Sequence, residues 1–333
     1  MIGNVMEQLR AKARANPQRI VFPEGCEAKI LQAACQVRDL GLGHSVLVGK
    51  PDAISNLAQD IAVSLEGIAT VDHTDQEKAE RLAAAYCKLS SDLPAAAIKR
   101  KLRDPLVFAA LMLKLDEADC MVAGLSHTTG EVMMASEMIV GLKDGISTVS
   151  SMGILSVPGY EGMEGNEIAI ADCAVCAVPG SEELADIAIS TADSVRILMG
   201  WEPRVALLSF STKGSSSHER VDAVLHAQEI VRARRPDILI DGELQLDAAI
   251  IPEVASRKIK GESAVAGKAN VLIFPNLESG NIGVKLVQCF AHAVAYGPLL
   301  QGFARPVSDL SRGAPVDEII GAATMVAVQA QYR

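Results

Sequence analysis

Aromatic residues are scarce in this sequence, 3% of 333 positions, with one tryptophan, four tyrosines and six phenylalanines. So few rings argue against a stacking platform for bases. Positive charge is also in deficit: 31 Lys and Arg face 41 Asp and Glu, and the net charge of -10 repels a phosphate backbone. Nucleic acid is thereby excluded as an expected partner. Long apolar runs are missing too. No stretch reaches the roughly 18 uncharged apolar residues of a membrane span, and the opening MIGNVMEQLRAKARANPQR has no signal-like apolar core. These absences predict a soluble protein of the cytoplasm, without a membrane partner. The seven cysteines are an odd number and sit mostly in apolar stretches such as LQAACQV and DEADCMVAG, where a small buried hydrophobe fits better than a disulfide framework. No internal repeat and no low-complexity linker separates the chain into beads.

What is present is an ordinary globular composition, 49% apolar and 22% charged, on a chain longer than one core usually supports, so two domains are expected. Short β-type runs recur as RIVF (19–22), HSVLVG (44–49), DCMVAG (119–124), RVALLSF (204–210), DILIDG (237–242) and ANVLIFP (269–275). Stretches with apolar residues three and four apart lie between them, as in SEELADIAISTADSVRILMG and SHERVDAVLHAQEIVRARRP. Strand then helix, repeated, predicts an α/β fold with parallel sheet covered on both faces. Residues 145–180 break the alternation with two β-type runs around a glycine-rich turn, which reads as a hairpin, an antiparallel edge and the entry to a second domain.

Nucleotide loops are absent on inspection. GLGHSV lacks the third glycine of the dinucleotide fingerprint, and GESAVAGKA has its first glycine one place too far away and Ala269 where a hydroxyl belongs. Cys173 and Cys176 have redox or zinc spacing but no second pair and no nearby histidine, so buried strand residues are the better reading. GLSHTTG (124–130) follows a strand and offers Ser126, His127, Thr128 and Thr129 where open α/β sheets bind ligands; a polar helix cap is the equal alternative. SFSTKGSSSHE (209–219) has five serines, Thr212 and Lys213, more polar groups than one cap with Ser217 requires, and suits a phosphate. FPNLESGNIGVK repeats the arrangement with Asn281 and Lys285 near a helix start. In PVSDLSRGAPVDE (306–318), Pro315 suits a first helical position and Asp317 and Glu318 the positive end of a helix dipole. That leaves Asp309, Ser311 and Arg312 unexplained, because a cation just before a helix N-terminus is misplaced unless it binds an anion.

DLSRG, SFSTKGS, DGELQLDAAI, GKANVLIFP, GNIGVKLVQ and YGPLLQG together resemble the phosphate acetyltransferase family, within the phosphate acetyl- and butyryltransferases, over nearly the whole chain. The resemblance implies acetyl transfer between acetyl-CoA and inorganic phosphate, giving acetyl phosphate and CoA, with no metal and no cofactor, coenzyme A being a substrate. It implies a homodimer of two-domain subunits similar to the isocitrate/isopropylmalate dehydrogenase type, with the site in a cleft. The domains would be 1–144 plus 301–333, and 145–300, the latter carrying the dimer contact. Ser311 would hydrogen-bond the thioester carbonyl or its oxyanion, and Arg312 would hold phosphate or acetyl phosphate. A carboxylate would take the CoA thiol proton: Glu318 stands where the family usually has an aspartate, with Asp317 just ahead. His127, Thr128, Thr129, Ser211, Thr212, Lys213, Asn281, Lys285 and Asp309 would bind substrate. Two departures stand out, Met134 and Lys88 lying where the family usually has arginines. Propanoyl or butyryl transfer, a non-catalytic acyl-CoA sensor, and a dehydrogenase of the same fold are the alternative readings. The dehydrogenase would need grouped metal-binding aspartates that the motifs do not suggest.

Overall fold

The computed structural model describes residues 5–89 and 94–332. The chain forms two compact units, one running to Lys143 and resuming at Phe303, the other Asp144–Gly302. Among the described residues the strands are β1 (Gln18–Phe22), β2 (Gly43–Val48), β3 (Ala69–Val71), β4 (Cys120–Ala123), β5 (Ser150–Ser156), β6 (Glu167–Ala171), β7 (Arg204–Leu208), β8 (Leu239–Leu244), β9 (Val271–Ile273), β10 (Val294–Gln301) and β11 (Val307–Asp309). No helix of the described residues is long and apolar enough to cross a membrane.

The first unit is built on a sheet of order β11-β4-β1-β2-β3 in which every pairing is parallel. In its central strands β1 and β4, Ile20, Val21, Phe22 and Cys120–Ala123 form buried apolar runs, as a sheet covered on both faces requires. Helix Pro105–Lys114 shows how sequence sets such a cover. Asp104 Oδ1 accepts the Leu106 N–H at 2.9 Å, Pro105 takes a place where its missing N–H costs nothing, and Leu106–Leu113 is buried all round. Helix Val316–Ala330 packs its apolar side on helix Ala28–Asp39 and on β4. Before that helix the sequence suggests only a polar loop. The structure inserts β11, whose Asp309 lies opposite Ala123 of β4. Three residues reading Val-Ser-Asp carry no periodic signal, and it is pairing with β4 that makes them a strand.

The second unit has a mixed sheet, β10-β5-β6-β9-β7-β8. From β6 to β8 the pairings are parallel, and β5 and β10 add antiparallel neighbours on one side. The glycine-rich 157–166 turn joins β5 to β6 as a hairpin, in line with the break in strand–helix alternation. Helix Ser181–Met199 starts where Glu183 accepts the Gly180 N–H at 2.6 Å and ends at Gly200, whose φ of 72° is the left-handed turn that glycine adopts freely. β10 has no clean strand signature because Gly297, at φ 118°, and Pro298 interrupt its register with β5. Ile168, Ile170, Leu208, Leu244 and Leu272 form part of the buried core, each contributing about 1.5–3 kcal/mol relative to exposure.

Candidate active site

β11, β4 and β1 are neighbours and parallel, so their carboxyl ends share one edge of the first sheet, the place where open α/β sheets accept ligands. Three segments leave that edge: residues 23–27 after β1, 124–128 after β4, and 310–315 after β11. Their organiser is a residue the sequence reading missed, Glu24, whose side chain is 1% exposed. Its Oε1 accepts N–H bonds from Gly124 (3.2 Å), Ser126 (2.8 Å) and His127 (3.0 Å), its Oε2 one from Leu125 (2.9 Å). The Ser126 hydroxyl and His127 Nδ1 add contacts of 3.2 and 2.8 Å. Four successive amides and two side chains thus converge on one carboxylate, in the way a backbone nest holds an anion.

Burial alone would raise the Glu24 carboxyl, but the His127 bond and the amides of Ser126, Leu125 and His127 outweigh it and hold it below the usual carboxylate range. The same contact works in reverse on His127. Its hydrogen bond to Glu24 raises the imidazole against the effect of burial, and the charges of Glu24, Asp104 and Glu131 add to the rise.

The two outer segments meet directly. Thr129 Oγ1 donates to Asp309 Oδ2 at 2.5 Å, and the Leu310 N–H donates to the Ala123 carbonyl at 2.8 Å. Gly124 has φ 108°, and a Cβ there would collide with Asp309 Oδ1 and the Leu310 backbone, so only glycine permits this approach. Burial first, then the Glu24 charge, raises the Asp309 carboxyl, with the Thr129 hydroxyl opposing. Thr128 is the helix cap: Oγ1 accepts the Glu131 N–H at 3.3 Å while Glu131 Oε2 accepts from the Thr128 N–H (2.7 Å) and hydroxyl (2.9 Å). The cap reading therefore holds for Thr128, whose hydroxyl is already engaged. Thr129 turns instead to Asp309.

Ser311 and Arg312 sit exposed beyond this joint, and the Ala314 N–H donates to the Ser311 carbonyl at 2.9 Å to close the turn. Lys29 Nζ reaches across the chain to the carbonyls of Gly313 (3.3 Å) and Ala314 (3.1 Å). Pro315 is the N-cap rather than the first helical residue, one place earlier than its sequence context suggests, since helix Val316–Ala330 starts after it. Asp317 and Glu318 are both exposed in the first turn.

The second unit treats its polar loop differently. Ser211 is fully buried and its hydroxyl contacts Glu243 Oε1 (2.9 Å), Ser215 Oγ (3.3 Å) and the Ser216 carbonyl (3.3 Å). Thr212 Oγ1 donates to Gln245 Oε1 at 3.2 Å and accepts the Gln245 N–H at 2.9 Å. Lys213, at φ 48°, sends Nζ to Asp241 Oδ1 (2.5 Å) and the Gly242 carbonyl (2.7 Å). All three groups that the sequence offers for a phosphate have partners in this structure, Glu243 and Asp241 on β8 and Gln245 just after it. The helix that follows is capped by His218, whose Nδ1 accepts the Arg220 N–H at 3.2 Å, and not by Ser217. Asn281 is exposed, with Nδ2 3.1 Å from the Cys173 carbonyl, and Lys285 is exposed on the same helix, Leu277–Ala291.

Cys173 and Cys176 are in a loop after β6 rather than in a strand. The loop folds around buried Asp172, which accepts the N–H groups of Ala174 (3.0 Å), Val175 (3.3 Å) and Cys176 (2.7 Å). Burial, reinforced by Asp172, pushes both thiols up to about 12, which removes the reactive thiolate. Met134 and Lys88 are both exposed on helices of the first unit. Among the described residues no group of three or more His, Cys, Asp or Glu is arranged to hold a metal ion.

Comparison with known proteins places these features in a family. The family model described as phosphate acetyl/butaryl transferase matches residues 4–327. A phosphate acetyltransferase of Thermoanaerobacterium thermosaccharolyticum is 44% identical over 330 residues, covering 98% of this chain and 100% of the relative. The solved structure of a phosphotransacetylase from Streptococcus pyogenes superposes with a TM-score of 0.90 at 35% identity, covering 99% of this chain and 98% of that one. A putative 4-hydroxythreonine-4-phosphate dehydrogenase from Salmonella typhimurium, 11% identical with a TM-score of 0.56 over 95% of this chain and 99% of that one, shares the fold alone and marks it as dehydrogenase-like. The chain belongs to the phosphate acetyl/butaryl transferase family.

Proposed function

We infer that this chain is an acyltransferase that moves an acetyl group reversibly between acetyl-CoA and inorganic phosphate, with acetyl phosphate and CoA as the other pair. The observation that carries the reading is the exposed Ser311–Arg312 pair, set at the carboxyl edge of a parallel sheet, in a chain 44% identical to a phosphate acetyltransferase along its length. In the direction that makes the thioester, the CoA sulfur attacks the carbonyl carbon of acetyl phosphate, the carbon–oxygen bond to phosphate breaks, and phosphate leaves. Ser311 donates to the carbonyl oxygen as charge develops on it. The Arg312 guanidinium holds the phosphate oxygens, which its fork of N–H groups matches. Glu318 or Asp317 takes the thiol proton. An ordinary carboxylate and a thiol differ by about four pKa units, roughly 5.7 kcal/mol uphill, so the step needs help. Arg312 supplies part of it by stabilising the developing thiolate. No metal and no separate cofactor enters this scheme.

The same reading takes the cytoplasm as its location and a homodimer as its assembly. Helix Leu277–Ala291 supports the dimer by presenting Ile282, Leu286 and Phe290 at spacing four, 56%, 50% and 82% exposed. Mixing CoA with acetyl phosphate and following thioester absorbance tests the activity, with propanoyl and butyryl phosphate run beside it. Thioester formation fastest with acetyl phosphate is expected. CoA binding without any thioester product would favour the sensor reading, to which the exposed Met134 in place of an arginine points.

A further inference from the structure

The segment PEGCEAK, residues 23–29, contains no group yet assigned to the reaction, and two of its side chains, Glu24 and Lys29, hydrogen-bond to the segments that frame Ser311 and Arg312. Glu24 gathers the amides of residues 124–127, a hundred positions ahead. Those residues in turn press Gly124 against Asp309 and Leu310, and they lead into Thr129, which bonds Asp309. Lys29 meets the other end of the same turn through the carbonyls of Gly313 and Ala314. Its place is otherwise unfavourable, because a lysine in the first turn of helix Ala28–Asp39 opposes the helix dipole. Between them the two side chains and the Thr129–Asp309 bond hold residues 309–314 at both ends.

We propose that Glu24 and Lys29 are positioning residues for acetyl transfer, fixing the 309–314 turn so that Ser311 and Arg312 meet the substrate in register. The proposal rests on the function inferred above. Neither group touches substrate. Each acts through main-chain groups, and a displacement of the turn by about 1 Å suffices to lower turnover by up to about 10²-fold.

Three variants test it: Glu24→Gln, which keeps shape but loses the charge that six donors share, Lys29→Met, and Lys29→Arg. Glu24→Gln lowers kcat by about 10- to 100-fold and Lys29→Met by about three- to ten-fold, with KM for CoA and acetyl phosphate little changed. Lys29→Arg restores most of the loss, because the guanidinium still donates to both carbonyls. Hydrogen exchange read on the same proteins does not depend on activity: amides of 124–127 open faster in Glu24→Gln, and amides of 310–314 in both Glu24→Gln and Lys29→Met. Folded variants with unchanged exchange in the 310–314 turn, or with unchanged kcat in an active enzyme, overturn the proposal. Faster exchange in a protein that makes no thioester even unsubstituted upholds the positioning and overturns the function.

Discussion

The loop after β4 and the loop after β7 are built alike and end up different. In each, a polar strand-to-helix connection is organised by a buried glutamate from the neighbouring strand's side: Glu24 for residues 124–127, Glu243 for Ser211 and the Gly214 N–H. In the first unit a third strand, β11, ends beside that arrangement and brings Ser311 and Arg312 out into solvent. In the second, Ser211, Thr212 and Lys213 are all drawn inward, onto Glu243, Gln245 and Asp241. A polar loop at a strand end is therefore not a ligand site by composition. What counts is which donors remain after the fold has satisfied its own buried acids.

That contrast can be broken at several points. Arg312→Ala should lower kcat/KM for acetyl phosphate by on the order of 10³, with stability changed by less than about 0.5 kcal/mol, as steady-state rates and urea melts will show. Loss of the fold would mean that Arg312 is structural. In the second unit Glu243→Ala should cost about 1–3 kcal/mol in urea unfolding, since it removes the charged acceptor of the buried Ser211 hydroxyl and of the Gly214 N–H and leaves Ser211 only its longer contacts to Ser215 and Ser216. A pH series sharpens the first-unit side. Folded His127 holds its proton more firmly than unfolded imidazole, through Glu24 chiefly and Asp104 and Glu131 as well. Its contribution is therefore complete below the unfolded value, about 6.5, and is lost as pH rises through the folded one. The melting temperature should fall over that window in the unsubstituted protein and fall less in His127→Gln. The smallest effect is expected for Lys213→Met, a loss of about 0.5–1 kcal/mol, because its side chain is one-third exposed and its partner Asp241 keeps the Ser263 hydroxyl. A large rise in KM for CoA would instead show that Lys213 leaves Asp241 for substrate.

Much of the fold was legible because the central strands are short apolar runs, RIVF and DCMVAG among them, separated by helices with clear spacing. β10 and β11 were hidden for physical reasons: one is interrupted by Gly297 and Pro298, the other is three residues long and exists only as a neighbour of β4. Ser311 and Arg312 stood out as charged and polar residues with no local task before a helix. Glu24 did not, since nothing near FPEGCEAK marks a carboxylate whose partners lie a hundred residues on. For Ser211 and Thr212 the hidden part is their internal partners. Their acceptors, Glu243 and Gln245, are about thirty residues away and invisible to local pattern.

The most direct test is a crossed pair, Ser311→Ala and Ser211→Ala, each measured for CoA acetylation and for urea stability in the same buffer. Ser311→Ala should lose about 10²–10³ in kcat and almost nothing in stability. Ser211→Ala should lose about 1–2 kcal/mol of stability and keep kcat within a few-fold. Unimpaired turnover in Ser311→Ala, or collapse of turnover in a fully stable Ser211→Ala, would contradict the assignment of chemistry to the turn after β11.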